Sequence, residues 1–495
     1  QREHGLAAFG DLVDGRLDVT FLLVGDLGQL LAQLGLGLVE GLVRLGMHGH
    51  GRVAQHGLGP GRGNVDVRRL ARAWVFDRVL EVPEMALDRL VIDLVVGHGR
   101  LQVRVPVDQA FAADDEAVLE QLEEGVAHGP GADVVDLSYA AMAAPAQEVQ
   151  AAYEAALRAL PAYLPTHGME PVGVDSLREV VAQRYTARGL ATSPDQIMIT
   201  SGAQHALRLI LSVMTSPGER VLVDHPTYPN ALEAIRRVGA RPVPVPVRPE
   251  SGGGGAWDLD GIRSAARQTA ARMAYLIPDF HNPTGLCLDG PGRAELTHIA
   301  RDTRMLLVVD ETMVDLWLDE PSPGPVASYG RSAAKTEVVT IGSTAKSFWG
   351  GLRVGWVRAD PALITRLVGA RAAVDLGTPV MDQLAAADLL SRDDAVLDRR
   401  RHELREQRTA LLTALADRLP DWEPTVGSGG LSLWLRMPAP VSTALAASAP
   451  NFGVLLAAGP RFGVEGAFER FVRIPYARSS DELRRGVDAV AAAYE

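Results

Sequence analysis

The feature that most constrains the fold is an alternation of short apolar strands with amphipathic helices through the middle of the chain. Strands that alternate with helices in this way form a mainly parallel sheet whose two faces are covered by the helices. The strands are predicted at residues 196–200, 220–224, 273–277, 305–309 and 338–341. The helices are predicted at 176–188, 203–214, 231–238 and 292–303, with a further long helix after Pro361. The sequence therefore predicts an α/β fold.

Polar motifs follow the ends of these strands. They are Ser201-Gly202-Ala203-Gln204, His225-Pro226-Thr227-Tyr228-Pro229, Asn282-Pro283-Thr284-Gly285, Asp310-Glu311 and Ser343-Thr344-Ala345-Lys346. In a doubly wound sheet, ligands bind beyond the carboxyl ends of the strands. We therefore expect these motifs to form one site.

Lys346 carries the strongest chemical signal, because the chain has only one other lysine, Lys335. Arginine dominates the basic residues, so a retained lysine indicates that its amine chemistry is needed. Unlike arginine, lysine can lose a proton and form a Schiff base. The alternative is an exposed lysine in a turn.

Two other motifs have a physical rationale of their own. Backbone amides at a helix N-terminus bind phosphate, and Gly202 lets such a ligand approach closely. An apolar strand that ends in Asp310 buries a carboxylate, which needs a cationic partner. Each motif alone also has an ordinary interpretation, as a strand-to-helix turn, a loop or a core residue.

Taken in order, the motifs resemble those of a fold-type I pyridoxal 5'-phosphate (PLP) enzyme of the class I/II aminotransferase family, from about Asp133 to the C-terminus. The resemblance implies the type I fold of PLP-dependent transferases. In that fold a mostly parallel central sheet is flanked by helices and followed by a smaller α+β C-terminal domain. It also implies PLP as the cofactor, with an amino acid and a 2-oxo acid as substrates.

The resemblance assigns a role to each site residue. Lys346 would form the Schiff base with the cofactor and move the proton at the substrate Cα, while Asp310 would pair with the pyridine nitrogen. Tyr228 would stack on the ring, and Asn282 would bind its hydroxyl oxygen and contact the substrate. The phosphate would be bound by Gly202, Ala203, Gln204, Ser343 and Arg353.

Two further residues follow from the same resemblance. Arg473, in the stretch Phe471-Val472-Arg473-Ile474-Pro475-Tyr476, would bind the substrate α-carboxylate. Its alternative is a structural salt bridge. Tyr163 would reach the phosphate of the neighbouring subunit, which implies a homodimer with shared active sites.

The chain also departs from the family pattern. Met313 stands where members commonly have a tyrosine that binds the cofactor's ring oxygen. The loop that usually closes over the substrate is not obvious in residues 138–145 (SYAAMAAP), which contain no glycine. Glu311 is expected to cap or to face solvent, and His281 to line the pocket wall or a turn.

The chain is divided by composition. Residues 1–112 contain no Ser, Tyr, Lys or Cys, and stay unassigned. They are either an unfamiliar domain, with possible helices at 27–45 and 67–80, or an upstream reading-frame artefact. Residues 113–190 are predicted as a linker helix, at 114–126, and the N-terminal segment of the aminotransferase unit. Residues 191–375 are predicted as the large PLP-binding domain and 376–495 as the small domain.

Charge and composition limit the binding partners and the cellular locations that are expected for this protein. A net charge of −12 disfavours indiscriminate attraction to nucleic acid or anionic lipid. The single Cys287 cannot form an internal disulfide, which favours a cytoplasmic location. The apolar stretch at 27–39 is short and interrupted by Gln29 and Gln33, so no membrane span is expected. No secretory signal and no metal site are predicted.

Two functions compete. The first is a PLP-dependent aminotransferase. The second is a transcriptional regulator of the MocR/GntR type, whose aminotransferase-like domain is similar to residues 310–319 and 137–141 and binds PLP as a sensed ligand. A DNA-reading domain should present a basic face, but residues 1–112 have 12 Arg and no Lys against 13 acidic side chains. DNA is therefore a partner only under the regulator hypothesis.

Overall fold

The computed structural model describes residues 6–13, 16–23, 89–96, 99–106, 134–248, 256–330, 338–392 and 394–495. The chain divides into two units, Gln1–Gly125 and Val126–Glu495. The helices predicted at 27–45, 67–80 and 114–126 lie outside the described residues.

The first unit contains a four-stranded sheet. Its strands are β1 (Leu6–Val13), β2 (Arg16–Leu23), β3 (Arg89–Val96) and β4 (Gly99–Pro106). They lie in sequence order in the sheet. The pairs β1–β2 and β3–β4 are antiparallel, whereas β2 and β3 are parallel.

The second unit is built around a seven-stranded sheet. Its strands are β6 (Ile197–Thr200), β7 (Arg220–His225), β8 (Arg241–Pro246), β9 (Met273–Leu276), β10 (Leu306–Asp310), β11 (Val338–Ser343) and β12 (Gly355–Arg358). Their order is β6-β12-β11-β10-β9-β7-β8. Only β12 runs against its neighbours. The expected mostly parallel central sheet is therefore confirmed.

Helices cover both faces of this sheet. They are α1 (Ala146–Ala159), α2 (Asp175–Ala187), α3 (Ala203–Met214), α4 (Pro229–Arg237), α5 (Leu259–Thr269), α6 (Gly290–Thr303), the single turn α7 (Thr344–Ser347), α8 (Pro361–Arg371) and α9 (Val380–Ser391). Successive strand residues alternate between two cores, as the period of a strand requires. Leu307 and Val309 enter one core and Val308 enters the other.

The elements predicted from sequence match the observed ones within two residues, with one exception. The helix after Pro361 is not long, because it ends at Arg371 after 11 residues. The chain then turns, and this turn brings Asp375 to Ser201 beside α3.

The second unit also contains a smaller, five-stranded sheet. Its strands are β5 (Val135–Leu137), β13 (Glu423–Thr425), β14 (Ser432–Arg436), β15 (Val454–Ala458) and β16 (Phe471–Pro475). Their order is β13-β14-β16-β15-β5. It packs with the helices α10 (Ala395–Arg418), α11 (Ser442–Ser448) and α12 (Ser480–Tyr494). Because β5 pairs with β15, the segment that follows β5 is fixed to this sheet.

None of the helices in the described part of the chain is long and apolar enough to cross a membrane.

Candidate active site

The sequence motifs converge where the strands of the large sheet end. The phosphate-loop motif follows β6, Asp310 ends β10, and Lys346 lies on α7 directly after β11. Asp310 is in register with Ile341 of β11, so the two strands deliver their polar residues to the same edge. Asp310 and Lys346 therefore come from neighbouring strands, and Lys346 is near enough to Asp310 to affect its pKa.

Lys346 lies at the centre of the site. Its Nζ donates a hydrogen bond to the carbonyl oxygen of Ala140 at 2.7 Å. Burial lowers the pKa of Lys346 to about 8, with a further lowering from the guanidinium of Arg473 and an opposing effect from Asp310. An amine with this pKa loses its proton close to neutral pH, which nucleophilic and acid–base chemistry require.

Asp310 is buried, with 7% of its surface exposed. One carboxylate oxygen accepts a hydrogen bond from the hydroxyl of Tyr275 at 2.6 Å, and the other accepts from the backbone N–H of Thr312 at 2.9 Å. Burial raises the pKa of Asp310, while both hydrogen bonds and Lys346 lower it. Within the described residues Asp310 forms no ion pair, and its carboxylate accepts the two hydrogen bonds from Tyr275 and Thr312.

Tyr275 is a site residue that the sequence analysis missed. It lies on β9, is fully buried, and packs in the core on one face of the sheet. An aromatic residue inside an apolar strand predicts a core position, so the sequence gives no sign of its hydrogen bond to Asp310.

The phosphate-loop motif and Arg353 form a cradle. Gly202 precedes α3 with φ +92°, a conformation that favours glycine. The Nη2 of Arg353 donates to the carbonyl oxygen of Ser201 at 3.0 Å, and a Cβ added to Gly202 would lie 2.6 Å from the same nitrogen. Ser343 begins α7 and accepts from the N–H of Ala345. Open N–H groups at the start of α3 thus lie beside an exposed guanidinium.

An ion pair between Arg371 and Asp375 contacts this cradle at Ser201. Arg371 is fully buried and donates to both carboxylate oxygens of Asp375, at 2.6 and 3.0 Å. Asp375 accepts from the hydroxyl of Ser201 at 3.2 Å. The Nδ1 of His205 accepts from the N–H of Ser201 at 3.1 Å, which means that the ring is neutral and protonated on Nε2 in this arrangement. Burial lowers the pKa of His205, which favours that neutral form.

Tyr228 and Asn282 come from two further loops. Tyr228 precedes α4, and its hydroxyl accepts from the side chain of Asn230 at 3.0 Å. Burial raises the pKa of Tyr228 to about 12, which keeps the phenol neutral. The Oδ1 of Asn282 is buried without a hydrogen-bond partner in the described structure.

Arg473 reaches the site from β16 of the smaller sheet. It is 7% exposed, its Nη2 donates to the carbonyl oxygen of Ser138, and its guanidinium lies 5.0 Å from the centre of the Phe462 ring. Burial lowers the pKa of Arg473 to about 10, with Arg461 adding to the effect. The Nε of Arg473 is buried and has no partner among the described atoms.

The segment 138–140 joins Lys346 to Arg473, since Ser138 and Ala140 supply the two carbonyl oxygens that they contact. Residues 138–145 contain no glycine. The structure nevertheless brings this segment into the site, because its contacts use the main chain and do not depend on glycine.

Some predicted residues lie elsewhere. Tyr163 is partly buried against the core of the large sheet, and its role at the phosphate of a neighbouring subunit stays a prediction. Met313 is 5% exposed and packs in the core of the smaller sheet. The expectation that Glu311 caps or faces solvent is wrong. It is 3% exposed and pairs with Arg188 at 2.7 Å, because α2 places that arginine over the end of β10.

His281 is fully buried beside the Asn282 turn. Its Nδ1 lies 2.9 Å from the hydroxyl of Thr284, and its Nε2 lies 3.7 Å from the carboxylate of Asp224. Burial lowers the pKa of His281 to about 3, so the ring is neutral. His281 directly precedes the turn at residues 282–284, and its predicted place in a pocket wall or a turn stays a prediction.

The residues present fit a bound PLP molecule. Asn282, Gln204 and Arg473 each have a buried polar atom without a partner among the described residues. The cradle at Gly202 offers N–H groups and a guanidinium to a phosphate, and Asp310 offers a buried carboxylate to a ring cation. No cluster of His, Cys, Asp and Glu suited to a metal ion occurs within the described segments.

The chain belongs to the aminotransferase class I and II family, whose family model matches residues 132–490. The family and its fold are those of PLP-dependent enzymes, so PLP is the cofactor that this site is built for. The family resemblance inferred from the sequence motifs is confirmed.

Transaminases and transcriptional regulators are both among the similar proteins. A 2-aminoadipate transaminase of Thermus thermophilus is 30% identical over 318 residues, which cover 64% of this chain and 76% of that protein. The uncharacterized HTH-type transcriptional regulator YdcR of Escherichia coli is 30% identical over 309 residues, 61% of this chain and 64% of the regulator. The match thus spans less than two thirds of that regulator.

Solved structures agree with the fold. LysN, the α-aminoadipate aminotransferase of Thermus thermophilus complexed with N-(5'-phosphopyridoxyl)-L-leucine, has a TM-score of 0.68 and 27% identity over 79% of this chain and 98% of its own. The aspartate aminotransferase of the same species, solved with maleate, has a TM-score of 0.67 at 23% identity over 78% of this chain and 98% of its own, and supports the fold alone. The predicted type I fold is confirmed.

Proposed function

We propose that this protein is a PLP-dependent aminotransferase that moves an amino group between an amino acid and a 2-oxo acid. The observation that carries the proposal is the position of one half-buried amine, that of Lys346, among Asp310, Arg353 and Arg473, whose charges all act on it. These are the groups needed for a ring nitrogen, a phosphate and a substrate carboxylate.

Lys346, Arg473 and Asp310 carry the chemistry. Lys346 provides the amine for covalent attachment of the cofactor, and then takes up and returns the proton at the substrate Cα. Arg473 binds the α-carboxylate through its unpartnered Nε, while its Nη2 stays on Ser138. Asp310 holds a proton on the ring nitrogen by its negative charge. When bound, PLP supplies an aldehyde and an electron-withdrawing ring.

The remaining residues position the cofactor. Gly202, Ala203 and Gln204 offer the first N–H groups of α3 to the phosphate, and Ser343 and Arg353 approach it from the other side. Tyr228 covers a face of the ring, and Asn282 binds its hydroxyl oxygen and contacts the substrate. With Met313 in the core, Asn282 binds that oxygen without help from a tyrosine at position 313.

The proposal includes a homodimer with shared sites and a cytoplasmic location. Leu164, Met169, Val374 and Leu376 are large apolar side chains that are 45–69% exposed. Residues 170 and 377 are in contact, and Asp375 contacts the cradle at Ser201. A second copy that covers these side chains would bring its Tyr163, which lies beside Leu164 in sequence, to the phosphate. Sedimentation analysis of a Met169→Asp, Val374→Asp double variant tests this, and an unchanged mass would contradict it.

The experiment that tests the activity is a visible absorption spectrum of the purified protein with added PLP, before and after borohydride reduction, beside Lys346→Ala. We expect a yellow band that borohydride removes and that Lys346→Ala lacks. A scan of amino donors should then bleach the band and release the 2-oxo acid. A wild-type protein that shows no such band after incubation with PLP and removal of the unbound PLP would refute the proposal.

The second candidate is a MocR/GntR-type regulator that senses PLP, and the similarity to YdcR favours it. It predicts stable binding of an amino acid without turnover, together with retention of specific upstream DNA in a gel shift. Turnover without DNA retention would reject it.

A further inference from the structure

We infer that Tyr139 contacts the substrate and selects amino acids with a bulky apolar side chain. The inference rests on the proposed function and adds the substrate class to it. Tyr139 is a large aromatic side chain that is 56% exposed and lies beside Lys346.

The main chain around Tyr139 is fixed on both sides. The carbonyl of Ser138 accepts from Arg473 and the carbonyl of Ala140 accepts from Lys346. The N–H and the hydroxyl of Ser138 also donate to Asp136, at 2.9 and 2.7 Å. The main chain that carries the Tyr139 ring is therefore held by Lys346 and Arg473, the two residues that would contact the substrate.

The ring lies close to the reacting groups. Its centre is 5.7 Å from the Nζ of Lys346, and its hydroxyl is near enough to affect the pKa of both Tyr228 and Arg473. Among the described residues its hydroxyl forms no hydrogen bond with another side chain. The position of the ring is thus set by the backbone, and its exposed face is open to a ligand.

The geometry limits where a substrate side chain can go. The Cα must lie within reach of the Nζ of Lys346, and the carboxylate must lie on Arg473. Tyr139 lies on the segment that joins these two residues. The side chain of the substrate therefore extends from the substrate Cα beside the Tyr139 ring. An exposed aromatic face binds aromatic and large aliphatic groups by stacking and by removing apolar surface from water.

The test measures the affinity of the PLP-loaded protein for amino acids from the change in its visible band, which needs no turnover. The donors are phenylalanine, leucine, alanine and glutamate. We expect Tyr139→Ala to weaken binding of phenylalanine and leucine about tenfold, the size of one aromatic contact, and to leave alanine and glutamate within about twofold. Tyr139→Phe should keep the preference, because it keeps the ring.

Phe452→Ala is the matched control, since Phe452 is 47% exposed on a turn of the smaller sheet's helices, away from Lys346. An unchanged selectivity in Tyr139→Ala would overturn the inference, as would tighter binding of phenylalanine, which would make Tyr139 a barrier to large side chains. A wild-type preference for glutamate or alanine would also overturn it. These results leave the proposed function standing, whereas failure of the wild type to bind PLP refutes both.

Discussion

Removal of the Tyr275 hydroxyl should weaken the site through Asp310 alone. Tyr275→Phe deletes one oxygen and keeps the buried ring, so it opens no cavity in the core. The lost contact is the 2.6 Å hydrogen bond from the hydroxyl to the carboxylate of Asp310. That bond lowers the pKa of Asp310 against the raising effect of burial. Its removal therefore raises the pKa of Asp310 and makes its negative charge less available to the ring nitrogen.

The magnitude follows from the kind of bond. A hydrogen bond to a charged acceptor contributes about 1.5–3 kcal/mol, which corresponds to a roughly ten- to hundredfold change in an equilibrium or rate constant. We expect a loss of this size in PLP affinity or in kcat/KM. The stabilisation that ionised Asp310 gives is present above its pKa and lost as the pH falls through it. Since the variant raises that pKa, the acid limb of the activity profile should move to higher pH.

The assay is a PLP titration followed in the visible band, with kcat/KM measured against pH for wild type, Tyr275→Phe and Tyr476→Phe. Tyr476 is the matched control, because it is fully buried and its hydroxyl donates to a backbone carbonyl, that of Gly429, at 3.2 Å. The reasoning would be refuted if the acid limb of Tyr275→Phe coincided with that of the wild type, or if Tyr476→Phe moved it equally.

Three other changes have outcomes that the structure determines. Gly202→Ala should weaken PLP binding at least about tenfold in a titration, because its φ is +92° and its Cβ would meet Arg353 at 2.6 Å; unchanged affinity would contradict the cradle. Arg188→Leu should lower the free energy of unfolding by about 3 kcal/mol, because it leaves the buried carboxylate of Glu311 unpaired. Burial already raises the pKa of Glu311 and the variant raises it further, so the deficit should shrink as the pH falls; urea unfolding at about pH 5 and about pH 8 checks the sign. Lys346→Arg should keep a positive charge but lose the band that borohydride removes, and a retained band would exclude Lys346 as the attachment point.

Much of the large sheet could be predicted because its strands are short, apolar and separated by helices of clear periodicity. The exceptions have physical reasons. The strand β8 has the sequence RPVPVP and was not predicted, since proline cannot donate to a sheet. It occurs as an edge strand, where its other side needs no partner. The strand β12 has only four residues, and its antiparallel direction follows from the tight return after Lys346.

Within the site, residues defined by local motifs were predicted and residues defined by distant contacts were not. Lys346, Asp310 and Gly202 stand in short motifs whose chemistry is local. Tyr275 contacts a residue 35 positions away, and Glu311 is buried by an arginine 123 positions away. A sequence pattern carries no information on such pairs until the fold brings the two residues together.

The charges around Lys346 bear on turnover as well as on binding. A lysine with an ordinary pKa is protonated at neutral pH, and can neither attack an aldehyde nor take a proton from a carbon atom. Burial and the guanidinium of Arg473 lower the pKa of Lys346 to about 8. A substrate carboxylate on Arg473 would offset that positive charge and so raise the proton affinity of Lys346 at the stage when it must accept the Cα proton. A sensor needs only to bind its ligand, whereas this coupling between the carboxylate site and the base serves catalysis, which is why we favour the enzyme.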